Sequence, residues 1–596
     1  MEKAKVKGIP YGVARFEDIR RDNLYYIDKT MYLPLLEDTS NYLFLIRPRR
    51  FGKSVFVSMM QAYYDMAQAD RFDDLFGGLW IQQHPTPLKN AFQVIYFDFS
   101  LVSARQGKLE GSFNDYCGAE LDSFIKEYRS YYDEEMVEKV LAEQDAASKM
   151  KIINAEARRK KYQLYLIVDE YDNFTNVILS EGGKEMFRNL THASGFYRDY
   201  FKLFKAMFTR VFLIGVSPVT LDDLSSGYNI DWNISQDPRF NHMLGFSESD
   251  VRTMFHYYQD NGKLRADADI EAMMAEMKPW YNNYCFAEEC LEDDRLYNCD
   301  MVYYYLRSQV LYGRPPKEMV DKNIRTDYKK LKMLADIDRG NQRENRMSVI
   351  EEIAATGSVL MTLKTSFPAE YVTEDNKFRS LLYYYGLLTM GGEEWGELRM
   401  VIPNNCVKEQ YWSFMRDYYN RSFDIDLSGL KQCFRMLARD GDWKPLIERI
   451  ATAYKENSSV RDSILGEHNL QGFFKAYLAL NSLYLVEPEI ELNYGFSDFL
   501  LLPDKSRYPE IAHSYIMELK YVKPTATDAE VEAKSQEADT QLEKYSQDKV
   551  VKRLCADTQL HLLKVIFRGA NMEICEESRL FFHHRLHRLI KSLFKF

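Results

Sequence analysis

Cysteine is scarce: eight residues in a chain of 596, without regular spacing. That excludes a disulfide framework. Cys285, Cys290 and Cys299 fall near one another, but no fourth ligand follows at zinc-like spacing, so they read as core thiols. No apolar run reaches membrane-spanning length, and Met1-Glu-Lys-Ala-Lys-Val-Lys-Gly8 holds no apolar leader core. The expectation is a cytoplasmic, reduced protein with no transmembrane segment. A basic excess is missing too. The formal net charge is −11, so the chain as a whole is not an electrostatic binder of nucleic acid, and any such contact must come from a local patch. Aromatics are abundant, with 43 Tyr and 36 Phe, which argues for packed cores and against disorder. The length is too great for one core and predicts two to four domains.

The chain is organised around Asn41-Tyr-Leu-Phe-Leu-Ile-Arg-Pro-Arg-Arg-Phe-Gly-Lys-Ser54. Tyr42 to Ile46 reads as a buried strand, and apolar residues resume at helical density from Val55. Strand, tight loop and helix with Gly52-Lys53-Ser54 at the junction form a phosphate cradle. Backbone N–H groups gather at a helix start, a lysine reaches the β/γ-phosphates and a hydroxyl meets Mg²⁺. Arg47 stands where the motif's first glycine would be. A basic surface loop before a helix is the plain alternative.

Downstream strands bear on that choice. Gln93 to Ser100 is a strand ending in polar residues. Gln163-Leu-Tyr-Leu-Ile-Val-Asp-Glu170 runs fully apolar into two carboxylates, as a strand covered on both faces requires. In a Walker B reading, Asp169 serves the Mg²⁺ shell and Glu170 prepares the attacking water. Otherwise the two carboxylates simply open a loop. A third strand, Arg210 to Pro218, ends in Ser217, placed like the sensor of additional-strand P-loop ATPases, and Arg239 is a candidate sensor arginine. The run Arg158-Arg159-Lys160-Lys161 reads as a solvated helix end. Residues 250–460 read as mostly helical, with Phe378 to Pro403 resembling a helix plus hairpin of winged-helix type.

The last part changes character. Phe496-Ser-Asp-Phe-Leu-Leu-Leu502 and Ser514-Tyr-Ile-Met-Glu-Leu-Lys-Tyr521 read as adjacent strands. Side chains two apart on a strand share a face, so Glu518 and Lys520 point together and Asp498 can converge on them. Two carboxylates and a lysine suit a Mg²⁺ site acting on phosphate. A surface charge ladder is the plain alternative. Gln541 and Tyr545, one helical turn apart, could border the same site. The end of the chain, Ser578 to Phe596, is basic and amphipathic, and reads first as a docking helix.

With these residues assembled, the chain resembles a bacterial two-module family. An AAA-ATPase-like domain of the AAA+/STAND-like P-loop class comes first and a PD-(D/E)XK nuclease-superfamily domain last. The resemblance also rests on Ile9-Pro-Tyr-Gly12, Tyr26-Ile-Asp-Lys-Thr30, Trp280-Tyr-Asn-Asn-Tyr284, Leu296-Tyr-Asn298 and Ile402-Pro-Asn404. In that family Arg-Pro-Arg-Arg-Phe-Gly-Lys-Ser is the usual cradle. Two departures stand out: Gly495-Phe496 where Gly-Arg is usual, and Asn282-Asn283 where Asp-Gly is common.

The resemblance implies an α/β fold in three parts. Residues 1–245 form a P-loop ATPase with a parallel sheet, 246–460 a helical lid and connector, and 461–596 an α/β restriction-endonuclease-like domain. It implies ATP and Mg²⁺ as cofactors, with nucleotide held by Arg47, Arg49, Arg50, Phe51, Gly52, Lys53, Ser54 and Asp169. The metal ligands are Ser54 and Asp169 in one site, and Glu467, Asp498 and Glu518 in the other. Glu170, Asp498, Glu518 and Lys520 are the expected catalytic groups. Nucleic acid, DNA before RNA, is the expected partner, with homo-oligomers possible and a defence or mobile-element role by analogy. A nucleotide-controlled switch that binds without cutting is the rival expectation.

Overall fold

The computed structural model describes residues 5–102, 109–172, 196–218, 232–321, 349–367, 375–420, 427–458, 466–492, 495–505 and 508–578, apart from positions 351, 355, 479, 480 and 482. The terminal basic stretch beyond Ser578 lies outside the described residues. Two compact units result: Met1–Arg346 with Leu360–Cys406, and Met347–Val359 with Val407–Phe596. Among the described residues no helix is long and apolar enough to cross a membrane.

The first unit is built on five strands: β1 (Tyr42–Ile46), β2 (Phe92–Asp98), β3 (Gln163–Asp169), β4 (Arg210–Gly215) and β5 (Trp232–Asn233). All pair in parallel, in the order β2-β3-β4-β1-β5. β4 therefore lies between the cradle strand and the strand ending in Asp169. Leu164 to Val168 are all buried, because helices cover both faces of a parallel sheet. These helices are α1 (Lys53–Tyr64), α2 (Leu109–Glu127), α3 (Ala146–Lys160) and α4 (Phe196–Met207). The basic run closes α3, where Arg159 and Lys160 pair with Asp133 at 2.9 and 3.0 Å.

A second, helical core in the same unit joins α5 (Glu248–Asp260), α6 (Ile270–Tyr281) and α7 (Cys299–Tyr312). Met254, Phe255, Met277, Tyr281, Tyr305 and Leu306 fill it. The expected hairpin is present as antiparallel strands Thr389–Glu394 and Glu397–Val401.

The second unit carries β6 (Tyr484–Leu492), β7 (Gly495–Pro503), β8 (His513–Val522), β9 (Gln559–Arg568) and β10 (Asn571–Glu577). They form one mixed sheet, β10-β9-β8-β7-β6, in which only β8 and β9 pair in parallel. Of its helices α8 (Leu427–Asp440), α9 (Lys444–Ser458), α10 (Glu467–Leu478) and α11 (Asp528–Gln547), the last seats Ala538, Leu542 and Tyr545 on Leu500, Ile516 and Ile566. Phe567, next to Ile566 and so on the opposite face, meets Tyr454 and Phe474.

Candidate functional sites

The cradle of the first unit follows β1 and enters α1 through two left-handed residues, Arg50 at φ 68° and Gly52 at φ 84°. Glycine reaches that conformation without the Cβ clash that Arg50 bears. The loop is held from outside by the motifs that carry the family resemblance. The Asn298 amide donates to the Arg49 carbonyl at 3.4 Å. Phe51 is buried edge-on against Tyr284 and Phe286, and its carbonyl accepts from the Gly245 N–H at 3.1 Å. A Cβ on Gly386 would lie 2.8 Å from Pro48 Cβ. The Asn404 amide donates to the Asn282 carbonyl at 3.0 Å, and Lys29 pairs with Asp250 at 2.8 Å.

At the start of α1, Lys53 is buried and donates to the Pro48 carbonyl at 3.1 Å, with Glu170 Oε1 at 3.9 Å. Ser54 Oγ donates to Asp169 Oδ2 at 2.9 Å. Asp169 Oδ1 accepts from the Glu170 N–H, and Glu170 sits at φ 50°, another strained left-handed position. Burial, with Glu170 alongside, pushes the Asp169 carboxyl up to about 7 against the opposing pull of Lys53 and Ser54. The register of β2 on β3 puts Asp98 level with Asp169. Asp98 was missed in the sequence, although a polar strand end beside a parallel partner was a usable signal.

Arg47 occupies a different place from the one expected. It is buried, its guanidinium donates to the carbonyls of Ile46, Ser235 and Phe240 at 2.9, 2.5 and 3.2 Å, and it stacks over Phe286 at 4.3 Å. Burial holds its pKa down to about 10. It fastens the end of β1 to the core and is turned away from the cradle. Ser217 follows β4, buried, its carbonyl accepting from the Tyr171 hydroxyl. Arg239 is half-exposed and paired with Asp237 at 2.5 Å.

Beside the cradle opens a narrow cleft with a cavity volume of about 70 Å³. Pro10, Tyr26, Lys29, Val55, Phe246 and Asp300 are on its walls. Burial raises the Asp300 carboxyl against the pull of Arg50 and Lys53. Its apolar lining comes from segments far apart in sequence, so no local pattern announced it.

In the second unit, Lys520 Nζ donates to Glu518 Oε1 at 2.7 Å on one face of β8, with Glu537 at 3.8 Å. Asp498 accepts twice, from the Leu519 N–H at 2.7 Å and the Gln471 amide at 2.8 Å. Burial raises the Asp498 and Glu518 carboxyls, and each is under the influence of Lys520. Burial alone would lower Lys520, but Glu518, Asp498 and Glu537 outweigh it and its pKa rises. Burial, with Glu518 and Asp498 adding to it, raises the Tyr545 hydroxyl. Glu537, Gln541 and Tyr545 recur every four residues along α11, one face toward the site. Glu467, Gln471 and Lys475 do the same on α10, and that spacing could have revealed Gln471. Glu467 itself is exposed. The side chain of Phe496 lies outside the described residues.

Hard oxygen donors suit a small divalent cation. Ser54 and Asp169 supply them in the first unit. In the second, Glu518 Oε2 and Gln541 Oε1 are buried without a hydrogen-bond partner among the described residues, a cost that a cation would relieve. Among the described residues no group of three His, Cys, Asp or Glu side chains converges tightly enough to hold a metal alone. Glu467 is near enough to Asp498 to add to the rise of its carboxyl.

Residues 10–225 match the family profile described as "Predicted AAA-ATPase", and residues 465–577 match that of the PD-(D/E)XK nuclease superfamily. The chain thus joins an AAA-ATPase-like domain to a PD-(D/E)XK nuclease-like domain. Among curated proteins it is 26% identical over 297 residues to the "Uncharacterized protein in vnfD 5'region" of Azotobacter chroococcum mcd 1. That alignment takes in 48% of this chain and spans about half, 50%, of the relative's length. Among solved structures it is similar to Cdc6p from Pyrobaculum aerophilum, with 10% identity, 65% of this chain, 93% of that one and a TM-score of 0.25. The Aeropyrum pernix ORC2 protein gives 12% identity, 70% and 98% coverage and a TM-score of 0.27.

Proposed function

We propose that the first unit binds and hydrolyses ATP with Mg²⁺, and that the second cleaves nucleic acid, DNA before RNA, under control of the nucleotide. The observation that carries the ATPase reading is the Ser54–Asp169 hydrogen bond beside buried Lys53. Here Lys53, Gly52 and the α1 N-terminus hold phosphates, Arg49 and Arg50 stand at the rim, and the neighbouring cleft takes the base. Ser54 and Asp169 would hold the cation, whose role is to neutralise phosphate charge. Glu170 orients and deprotonates water.

In the second unit Glu518, Asp498 and Gln541 would hold a cation that activates water toward phosphate. Lys520 donates to the charge building on the phosphate, and Tyr545 borders the substrate. The two orphaned acceptors, Glu518 Oε2 and Gln541 Oε1, support this reading. A second reading, a switch that binds without cutting, is favoured by Asp498, both of whose oxygens already accept hydrogen bonds.

The separating assay uses wild type, Lys53→Ala and Lys520→Ala with supercoiled and single-stranded DNA, Mg²⁺ or Mn²⁺, with and without ATP. Cleavage lost in Lys520→Ala supports the nuclease. ATP turnover without cleavage of any nucleic acid sinks it and leaves the switch.

A further inference from the structure

The first unit has a second cleft, of about 400 Å³, outside the nucleotide site. It is built by the end of α7 and the strap that follows. Met301, Val302, Tyr305, Leu306 and Gln309 turn one face of α7 into the core. Tyr304, Arg307, Ser308 and Leu311, spaced for the opposite face, border the cleft. Gly313, at φ 64°, reverses the chain. Pro315-Pro316 then stiffens the returning strap, pinned where Ser308 Oγ donates to the Arg314 carbonyl at 3.0 Å and the Tyr304 hydroxyl to the Glu318 carbonyl at 2.9 Å. The reversal brings Arg314 and Lys317 beside Arg307.

Three exposed cations thus gather in one cleft; among the described residues no carboxylate is on its walls, and Asp321 behind them accepts from the Tyr11 hydroxyl. In a chain of net charge −11 that local sign calls for an anionic occupant. The apolar part is unusual for a surface: Tyr312 is 69% and Leu311 57% exposed. Arg307 lies 5.3 Å over the Tyr11 ring, and Tyr11 and Tyr304 stand 6.4 Å apart. Aromatic faces interleaved with guanidinium groups fit unstacked bases joined by phosphates. A duplex keeps its base faces hidden, so the complementary ligand is single-stranded.

We propose that this cleft binds single-stranded nucleic acid, with Tyr304 and Tyr312 stacking on bases and Arg307, Arg314 and Lys317 on phosphates. The proposal concerns binding by the first unit and stands whether or not the second unit cuts.

Full-length Lys520→Ala protein is titrated, without divalent metal, into fluorescein-labelled oligothymidylate, followed by anisotropy at two salt concentrations. We expect Arg307→Glu with Arg314→Glu to weaken binding roughly tenfold or more and to flatten the salt dependence. Tyr312→Ala should weaken it by roughly fivefold or more. Both variants should keep the parent melting temperature. Unlabelled single strand should compete far better than duplex, and AMP should compete poorly if a strand, not a lone nucleotide, is the ligand. Affinity unmoved by either variant overturns the proposal, as does equal competition by duplex. So does a lysine-reactive cross-link from Lys317 to a peptide of this chain or a second copy that excess oligothymidylate fails to suppress, since protein then fills the cleft.

Discussion

Ser54 Oγ and Asp169 Oδ2 are 2.9 Å apart, joined across 115 residues of sequence. The contact ties the first turn of α1 to the end of β3, although β4 runs between β1 and β3 in the sheet. It places a hydroxyl and a carboxylate where a nucleotide-bound cation needs oxygen. Glu170, next in sequence but held at φ 50°, is aimed differently and meets Lys53 instead. Glu170→Gln should therefore separate binding from chemistry. We expect ATP hydrolysis to fall by roughly 10²–10⁴-fold while the thermal shift with Mg·ATP persists. Loss of the shift along with turnover would show Glu170 to be a structural partner of Lys53.

The raised carboxyls give a pH signature. A proton and a cation compete for Asp169, whose carboxyl is pushed up to about 7. Below that pH the carboxyl must release a proton before it can bind metal. Affinity for Mg·ATP should then weaken as pH falls, approaching about tenfold per unit for one proton, and level off above about 7. In the second unit Asp498 and Glu518 are shifted in the same direction, so metal affinity there should also weaken toward acid, with more than one proton released. Lys520, raised, stays charged through neutral pH. Calorimetric Mn²⁺ titrations of the Lys53→Ala protein, in buffers of different ionisation enthalpy, would count those protons. A flat affinity from pH 6 to 8 would show the pair ionised already.

Asn283 offers a test of backbone strain. It sits at φ 84°, in the left-handed region that glycine reaches without a Cβ clash. Asparagine tolerates this better than most side chains because its short amide bonds locally. Asn283→Gly should leave stability unchanged or raise it slightly. Asn283→Val should cost about 1–3 kcal/mol, read from chemical denaturation. Equal stability of all three would mean that the turn relaxes.

The sheet strands were legible because their chemistry is local. Tyr42–Ile46 and Leu164–Asp169 are apolar runs ending in polar groups, and Glu518 and Lys520 share a face by strand period alone. Phe51 and Tyr284 were visible only as motif residues. Their contact joins segments more than two hundred residues apart, and no periodicity encodes that. Asp98 was half legible: its polar strand end shows in the sequence, but its level with Asp169 is set by strand register, which the sequence does not state. Gln471 carried a readable i, i+4 relation to Glu467, but glutamine on a helix is ordinarily a surface residue.

Arg47 shows where chemical type misled, and its role can be tested. A cation in a phosphate cradle invites a phosphate contact, yet its guanidinium is enclosed by three carbonyl oxygens and the Phe286 ring. A planar fork can meet several carbonyls at once while stacking on a ring; a lysine ammonium cannot. Arg47→Lys should therefore lose part of the hydrogen bonding to the Ile46 and Ser235 carbonyls, while the Phe240 carbonyl keeps the Met243 N–H, and cost about 1–3 kcal/mol with a matching fall in melting temperature. If the role is structural, the ATP concentration for half-maximal thermal shift should stay within about twofold of wild type, measured below the new melting point. A phosphate role would give the reverse: near-normal stability without ATP and a large loss of the ATP-induced shift. Arg49→Ala and Arg50→Ala serve as the comparison, since both lie nearer the rim, and at least one of them should weaken ATP binding with little change in melting temperature.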